Sequence, residues 1–180
     1  MVPPKRYLPD EPFPPYAYVP GKQPHPASAP RDALLVSRDA KALRSGARDQ
    51  PPPPREFLHG LDLFNHGYYW EAHEAWENLW HEAGRRGPTA DALKGLIALA
   101  AAGVKAREGN AAGVKHHAER AAALFTKVRD ECGGSARPIE LSLPALIAHA
   151  EALAREPIVD ETPTIEGRCV FPFRLTLESG

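Results

Sequence analysis

Two apolar runs with helical spacing meet at Gly67, and that junction limits the chain to folding back on itself there. Before it, residues 55–66 carry Phe57, Leu58, Leu61 and Phe64 at the spacing of an amphipathic helix. After it, residues 68–83 contain no further Gly or Pro, which predicts a second helix of roughly four turns. With one glycine as the natural left-handed terminator between them, the two helices are expected to pair as an antiparallel hairpin.

The second helix concentrates the aromatics, acids and histidines of the chain. At about 100° per residue, Tyr68, Tyr69, Ala72, Ala75, Trp76, Leu79, Trp80 and Ala83 share an arc of roughly 140°, wide enough for a core face. His73 borders that arc and Glu77 lies one turn further along the same border, while Glu71, Asn78 and Glu82 point away. Glu74 is rotated by about 100° from His73, so the wheel predicts that His73, Glu74 and Glu77 do not all converge. A carboxylate one turn from an imidazole can fix its tautomer, share its proton or chelate a metal with it. A hydrogen-bonded histidine at the edge of the core is the plainer use of the same residues. The spacing leaves all of these open.

The remaining chain reads as further helices between an arm and a tail. Residues 1–30 hold ten of the twenty prolines, interleaved with Tyr7, Phe13, Tyr16 and Tyr18. That composition favours extended backbone whose rings lie on the helical body or on a neighbouring subunit; His25, between two prolines, is expected to be exposed. Residues 31–45 are read as a short helix capped by Asp32, and 51–54 as a stiff proline spacer. A third helix runs from about Thr89 to Arg107, and its small apolar residues on nearly every side between 95 and 104 mark it as central. Gly109 ends it, and Asn110 caps a fourth whose seam is Val114, Ala118, Ala121, Phe125 and Val128. A fifth begins at Ser142 or Leu143 and runs to about Arg155, with Pro144 tolerated in its first turn. The segment 169–177, CVFPFRLTL, is aromatic and β-branched, but Pro172 and the lack of a partner strand predict a tail packed on helices.

The expected fold is therefore all-α: a compact bundle of about five helices built on two antiparallel hairpins. It divides into a Pro/aromatic-rich arm over 1–54, a helical core over 55–156 and an extended tail over 157–180. The hairpin turns at Gly67 and Gly109 lie 42 residues apart, a pseudo-repeat near the period of helical-hairpin solenoids, and G-x-Y-x-E-A resembles the turn of tetratricopeptide hairpins.

The run LFNHGYYWEAHEAWENLW, followed by LKGLIALAAAGVKAREGNAAGVKHHAERA, resembles domain-of-unknown-function family 309, with its FN-x-G-x-Y-x-EAHE-x-WE-x-x-W pattern. The resemblance covers about residues 57–130. It implies a small all-helical fold with no established biochemical activity. Asn65, Gly67, Glu71, His73, Glu74, Trp76, Glu77, Trp80, Gly109 and Asn110 match the pattern, whereas the family's Gln on the central helix corresponds to Ala98. The candidate polar site is accordingly His73, Glu77, Glu74, Glu71 and Asn65.

Function is constrained mostly by exclusion. Basic and acidic residues number 22 and 23, so no global field recruits nucleic acid or an anionic membrane. Cys132 and Cys169 form no C-x-x-C pair, the N-terminus lacks an apolar signal core, and the apolar run 95–104 is too short to span a bilayer; a protein of the reducing cytoplasm is expected. No phosphate loop or G-x-S-x-G elbow occurs, and HEAWE is not H-E-x-x-H. The leading expectation is a non-catalytic module that binds a protein, a peptide or its own twin and carries a semi-buried His/Glu site. The alternative is a metal-dependent hydrolase or oxidoreductase using His73 and Glu77, with Glu56, His59 (an E-x-x-H pair) or His117 completing the shell. Mixed nitrogen and oxygen donors would suit a divalent Zn, Mn or Fe.

Overall fold

The computed structural model describes residues 5–25, 53–133, 137–160 and 164–178. The helix expected over 31–45 lies outside these residues. Among the described residues there are five helices and no strand: α1 (Arg55–Asn65), α2 (Tyr69–Glu82), α3 (Pro88–Glu108), α4 (Ala111–Cys132) and α5 (Leu143–Arg155). Each helix packs mainly on its neighbour in sequence, and the fold is an all-α bundle. No described helix is long and apolar enough to cross a membrane, and Cys132 and Cys169 are both free thiols.

Each turn has a local cause. Asn110 accepts a hydrogen bond from the Gly113 amide at 2.8 Å and caps α4, and Ser142 does the same for Ala145 at 3.5 Å at the start of α5. Gly109 ends α3 in the left-handed region, as its sequence position predicted. Glycines also let rings in. A Cβ on Gly60 would stand 2.2 Å from Trp76 Nε1, and one on Gly95 2.5 Å from the Phe125 ring. Gly60 and Trp76 lie at similar distances from the Gly67 turn, as Gly95 and Phe125 do from the Gly109 turn, which is the pairing of antiparallel hairpins. α3 is buried along most of its length, and the seam Val114, Ala118, Ala121, Phe125 and Val128 is fully inaccessible.

The arm and tail are bonded onto this body. Asp62, inside α1 and wholly buried, accepts the Tyr7 and Leu8 amides at 2.8 Å each, one on either oxygen. Ala17 N–H donates to Ile165 O at 2.9 Å, joining arm to tail. Asn65 brackets Leu175 with both ends of its amide, each bond 2.8 Å, in the manner of a strand neighbour. Phe171 and Leu175 are buried, and Tyr69 Oη accepts the Val170 amide at 2.9 Å.

Gly67 has two independent reasons to lack a side chain. Its φ is +83°, and a Cβ there would fall 2.1 Å from the Arg168 backbone. Gly109 has φ +78° with nothing within 4 Å. Alanine at Gly109 should cost the left-handed penalty alone, about 1–2 kcal/mol. Alanine at Gly67 should cost about 1–3 kcal/mol more, through overpacking against main chain that cannot swing away. Urea unfolding of the two variants measures the difference; equal losses would mean that the tail does not close on this turn.

Candidate functional site

α2 is the element shared by the core, the arm and the charged edge. Tyr69, Ala72, Trp76 and Leu79 point inward and are buried, while His73, Glu74 and Glu77 occupy the opposite border, their side chains 24%, 53% and 42% exposed. His73 Nδ1 lies 3.7 Å from Glu74 Oε1 and 3.9 Å from Glu77 Oε2. One donor atom from each of the three residues falls within 4.8 Å of the other two. The helical wheel predicted that they would not converge, and this is a correction. The wheel tracks Cα directions, whereas three side-chain torsions let the Glu74 carboxylate reach back around the helix to the imidazole.

The electrostatics of the group are unbalanced. Among the described residues neither Glu74 nor Glu77 has a Lys or Arg partner within 4.0 Å, and each pairs with His73. His73 beside it holds the Glu74 carboxyl below the usual carboxylate range, against the opposing effect of burial. His73 Nδ1 is itself inaccessible and makes no hydrogen bond among the described residues. Trp70 fixes the ring by stacking on it, centroids 5.9 Å apart and planes 12° from parallel.

Other candidates are distributed differently. Glu71, which the wheel turned away from the body, is covered by the arm: its Oε1 accepts the Tyr18 amide at 2.9 Å and its Oε2 is buried with no hydrogen bond among the described residues. Burial pushes the Glu71 carboxyl up to about 7, while the Tyr18 amide and the Arg107 charge pull the other way. Asn65 is engaged with the tail as described. Glu56 and His59 lie on α1, outside the three-residue group, and burial lowers the His59 pKa. His117 on α4 is also outside it, yet within electrostatic reach of His73; its pKa is lowered by burial first, then by His116, Lys105, Arg120 and His73.

The sequence reading passed over three residues. Trp70 lies off the predicted apolar arc but orients His73. Asp62 anchors the arm. Arg107, 1% exposed, donates to the carbonyls of Gly67 at 3.3 Å, Glu166 at 3.2 Å and Thr164, with the Asp160 carboxylate 3.9 Å from its Nε. A charged residue at the end of an otherwise apolar central helix was the available signal for Arg107. No pattern flags Asp62, whose partners are amides more than fifty residues away.

Residues 57–116 match the family model described as Domain of unknown function (DUF309), the family that the EAHE pattern resembles. The match spans α1, α2, α3 and the start of α4, a third of the 180 residues, and contains the whole His73, Glu74 and Glu77 group. No curated protein and no solved structure matches the chain.

The raised Glu71 pKa has a definite sign in stability. Between about pH 4.5 and about pH 7 the folded chain keeps a proton that the unfolded chain has released. Stability contributed by this group is therefore present at the acid end and is lost as pH rises through the window. Glu71→Gln keeps an oxygen for the Tyr18 amide but cannot ionise, so denaturation midpoints across that range should fall less steeply than in wild type. Parallel profiles for the two proteins would contradict the placement of Glu71 under the arm.

Proposed function

We propose that this protein is a non-catalytic helical binding module whose edge site, His73, Glu74 and Glu77, takes a divalent transition metal, zinc by preference. The observation that carries the reading is the convergence of one imidazole nitrogen and two carboxylate oxygens within 4.8 Å. Donors around a tetrahedral ion with bonds of about 2.1 Å stand about 3.4 Å apart. The 3.7 and 3.9 Å separations need to contract by only a few tenths of an ångström. Two carboxylates and a neutral imidazole also carry the charge that a divalent cation neutralises, and a nitrogen-plus-oxygen donor set is one that zinc accepts.

Exposure supports binding over catalysis. The three donors come from one helix and two of them are close to half exposed, whereas catalytic metals work in enclosed sites that exclude water. A hydrolase or oxidoreductase built on His73 and Glu77 is the second reading, favoured by one observation: His117, within electrostatic reach of His73, keeps a buried Nδ1 with no hydrogen bond among the described residues and is available as a proton carrier.

Calorimetric titration of metal-free protein with zinc should give one site per chain. His73→Ala and Glu77→Gln should each weaken it by about tenfold or more, since each removes a direct ligand where outer-shell losses already cost about that much, with the helical circular dichroism retained. Absence of binding in wild type, or equal affinity in the variants, would refute the assignment.

A further inference from the structure

The turn between α2 and α3 gathers cations around one indole. Arg85 has φ +61° and its amide donates back to Trp80 O at 3.2 Å, so the chain doubles back over the end of α2. The Arg85 guanidinium comes to 5.4 Å from the centroid of the Trp80 ring, and α3 supplies the Lys94 ammonium at 5.6 Å from the same ring. His81 Nδ1 accepts Arg85 Nε–H at 2.8 Å, which holds the guanidinium in place and leaves its two terminal nitrogens without a hydrogen bond among the described residues. Arg86 is exposed beside them. These cations lack anions. Arg55, Lys105, Lys115, Lys127, Arg129 and Arg137 each lie within 4.0 Å of a carboxylate, whereas among the described residues Arg85, Arg86 and Lys94 have none at that distance. Asp91, the acid nearest to Lys94 in sequence, is taken by Lys127 at 2.7 Å. Three like charges in one short stretch repel one another, and an anion relieves that repulsion.

We infer that Arg85, Arg86 and Lys94, set beside Trp80, bind a phosphate dianion, free or as the monoester group of a small ligand. A phosphate group offers three strong acceptor oxygens and about two negative charges. It can therefore take a guanidinium fork from each arginine and the point charge of Lys94 together. A carboxylate is flat, carries a single charge and is filled by one fork. His81 contributes a further donor: with Nδ1 accepting from Arg85, the proton of the neutral ring sits on Nε2, and the residue is exposed. The indole gives the two cations that flank it a common anchor, so that they are gathered before the anion arrives. Seven residues of helix, about 10 Å, separate Trp80 from His73, and the site uses none of His73, Glu74 and Glu77. It therefore stands independently of the metal reading.

The test titrates the full chain, with no zinc added, with inorganic phosphate and with a nucleoside monophosphate at constant ionic strength, followed by nitrogen-15 NMR. The Arg85 Nε–H and Trp80 Nε1–H signals should shift and saturate together. Trp80 Nε1 is inaccessible, so its signal reports the rearrangement of the cations around the ring rather than contact with the anion. Chloride at the same ionic strength should produce neither shift. Arg86→Gln and Lys94→Gln should each weaken binding about tenfold, the scale of one hydrogen bond between charged partners, with the helical circular dichroism retained. Equal affinity for the two ligands assigns the site to the phosphate group alone, and tighter binding of the monophosphate assigns it to a nucleotide-like ester; both support the inference. No saturable shift with either ligand, or wild-type affinity in both variants, would overturn it. Saturation by an oligonucleotide without a terminal phosphate, where the two small ligands fail, would overturn it in favour of a nucleic-acid surface.

Discussion

A buried guanidinium joins the separate parts of this molecule. Arg107, at the end of the central helix, sends its donors to the carbonyl of the α1–α2 turn and to two carbonyls of the C-terminal segment, with a carboxylate beside its Nε. Its own carbonyl accepts Lys22 of the arm. Burying a charge of this kind costs several kcal/mol unless its donors are met. Here the two terminal nitrogens are met only when the turn, the tail and the core are all in place, while Nε faces the Asp160 carboxylate at 3.9 Å, so that the guanidinium reports their simultaneous docking. Gly67, closed upon by the Arg168 backbone, serves the same junction from the other side.

That junction has a consequence for the edge of α2. The helix leaves the Gly67 turn with its inner face committed to Trp76 and Tyr69 and its first turn committed to the arm through Glu71. His73, Glu74 and Glu77 are the polar residues left on its border, oriented by Trp70 and short of positive charge. A cation at this edge would serve two tasks that the other described residues leave undone: it would neutralise two neighbouring carboxylates and give His73 Nδ1 a partner.

Much of the architecture was legible because it depends on local periodicity. The hairpin at Gly67, the seam from Val114 to Val128 and the Asn110 cap follow from apolar spacing and from terminator and cap chemistry within a few residues. The partners of Asp62, Asn65 and Arg107 were illegible for the converse reason: each of the three bonds to backbone atoms of segments 40 to 110 residues away, and a backbone atom leaves no mark in a sequence. The candidate site was half visible. The His73 and Glu77 pairing follows from the four-residue helical repeat, whereas the return of Glu74 depends on side-chain torsions and the covering of Glu71 on where the arm lies. The family match adds no chemistry to the helices it covers, since a fold does not fix what a site on it does.

The central claim is that the α2 edge is a metal site, and diffraction on zinc-loaded crystals at the zinc absorption edge tests it most directly. The account predicts an anomalous peak bonded to His73 Nδ1 and to one oxygen each of Glu74 and Glu77. Zinc bound elsewhere, with that edge bare in crystals grown in excess zinc, would contradict it.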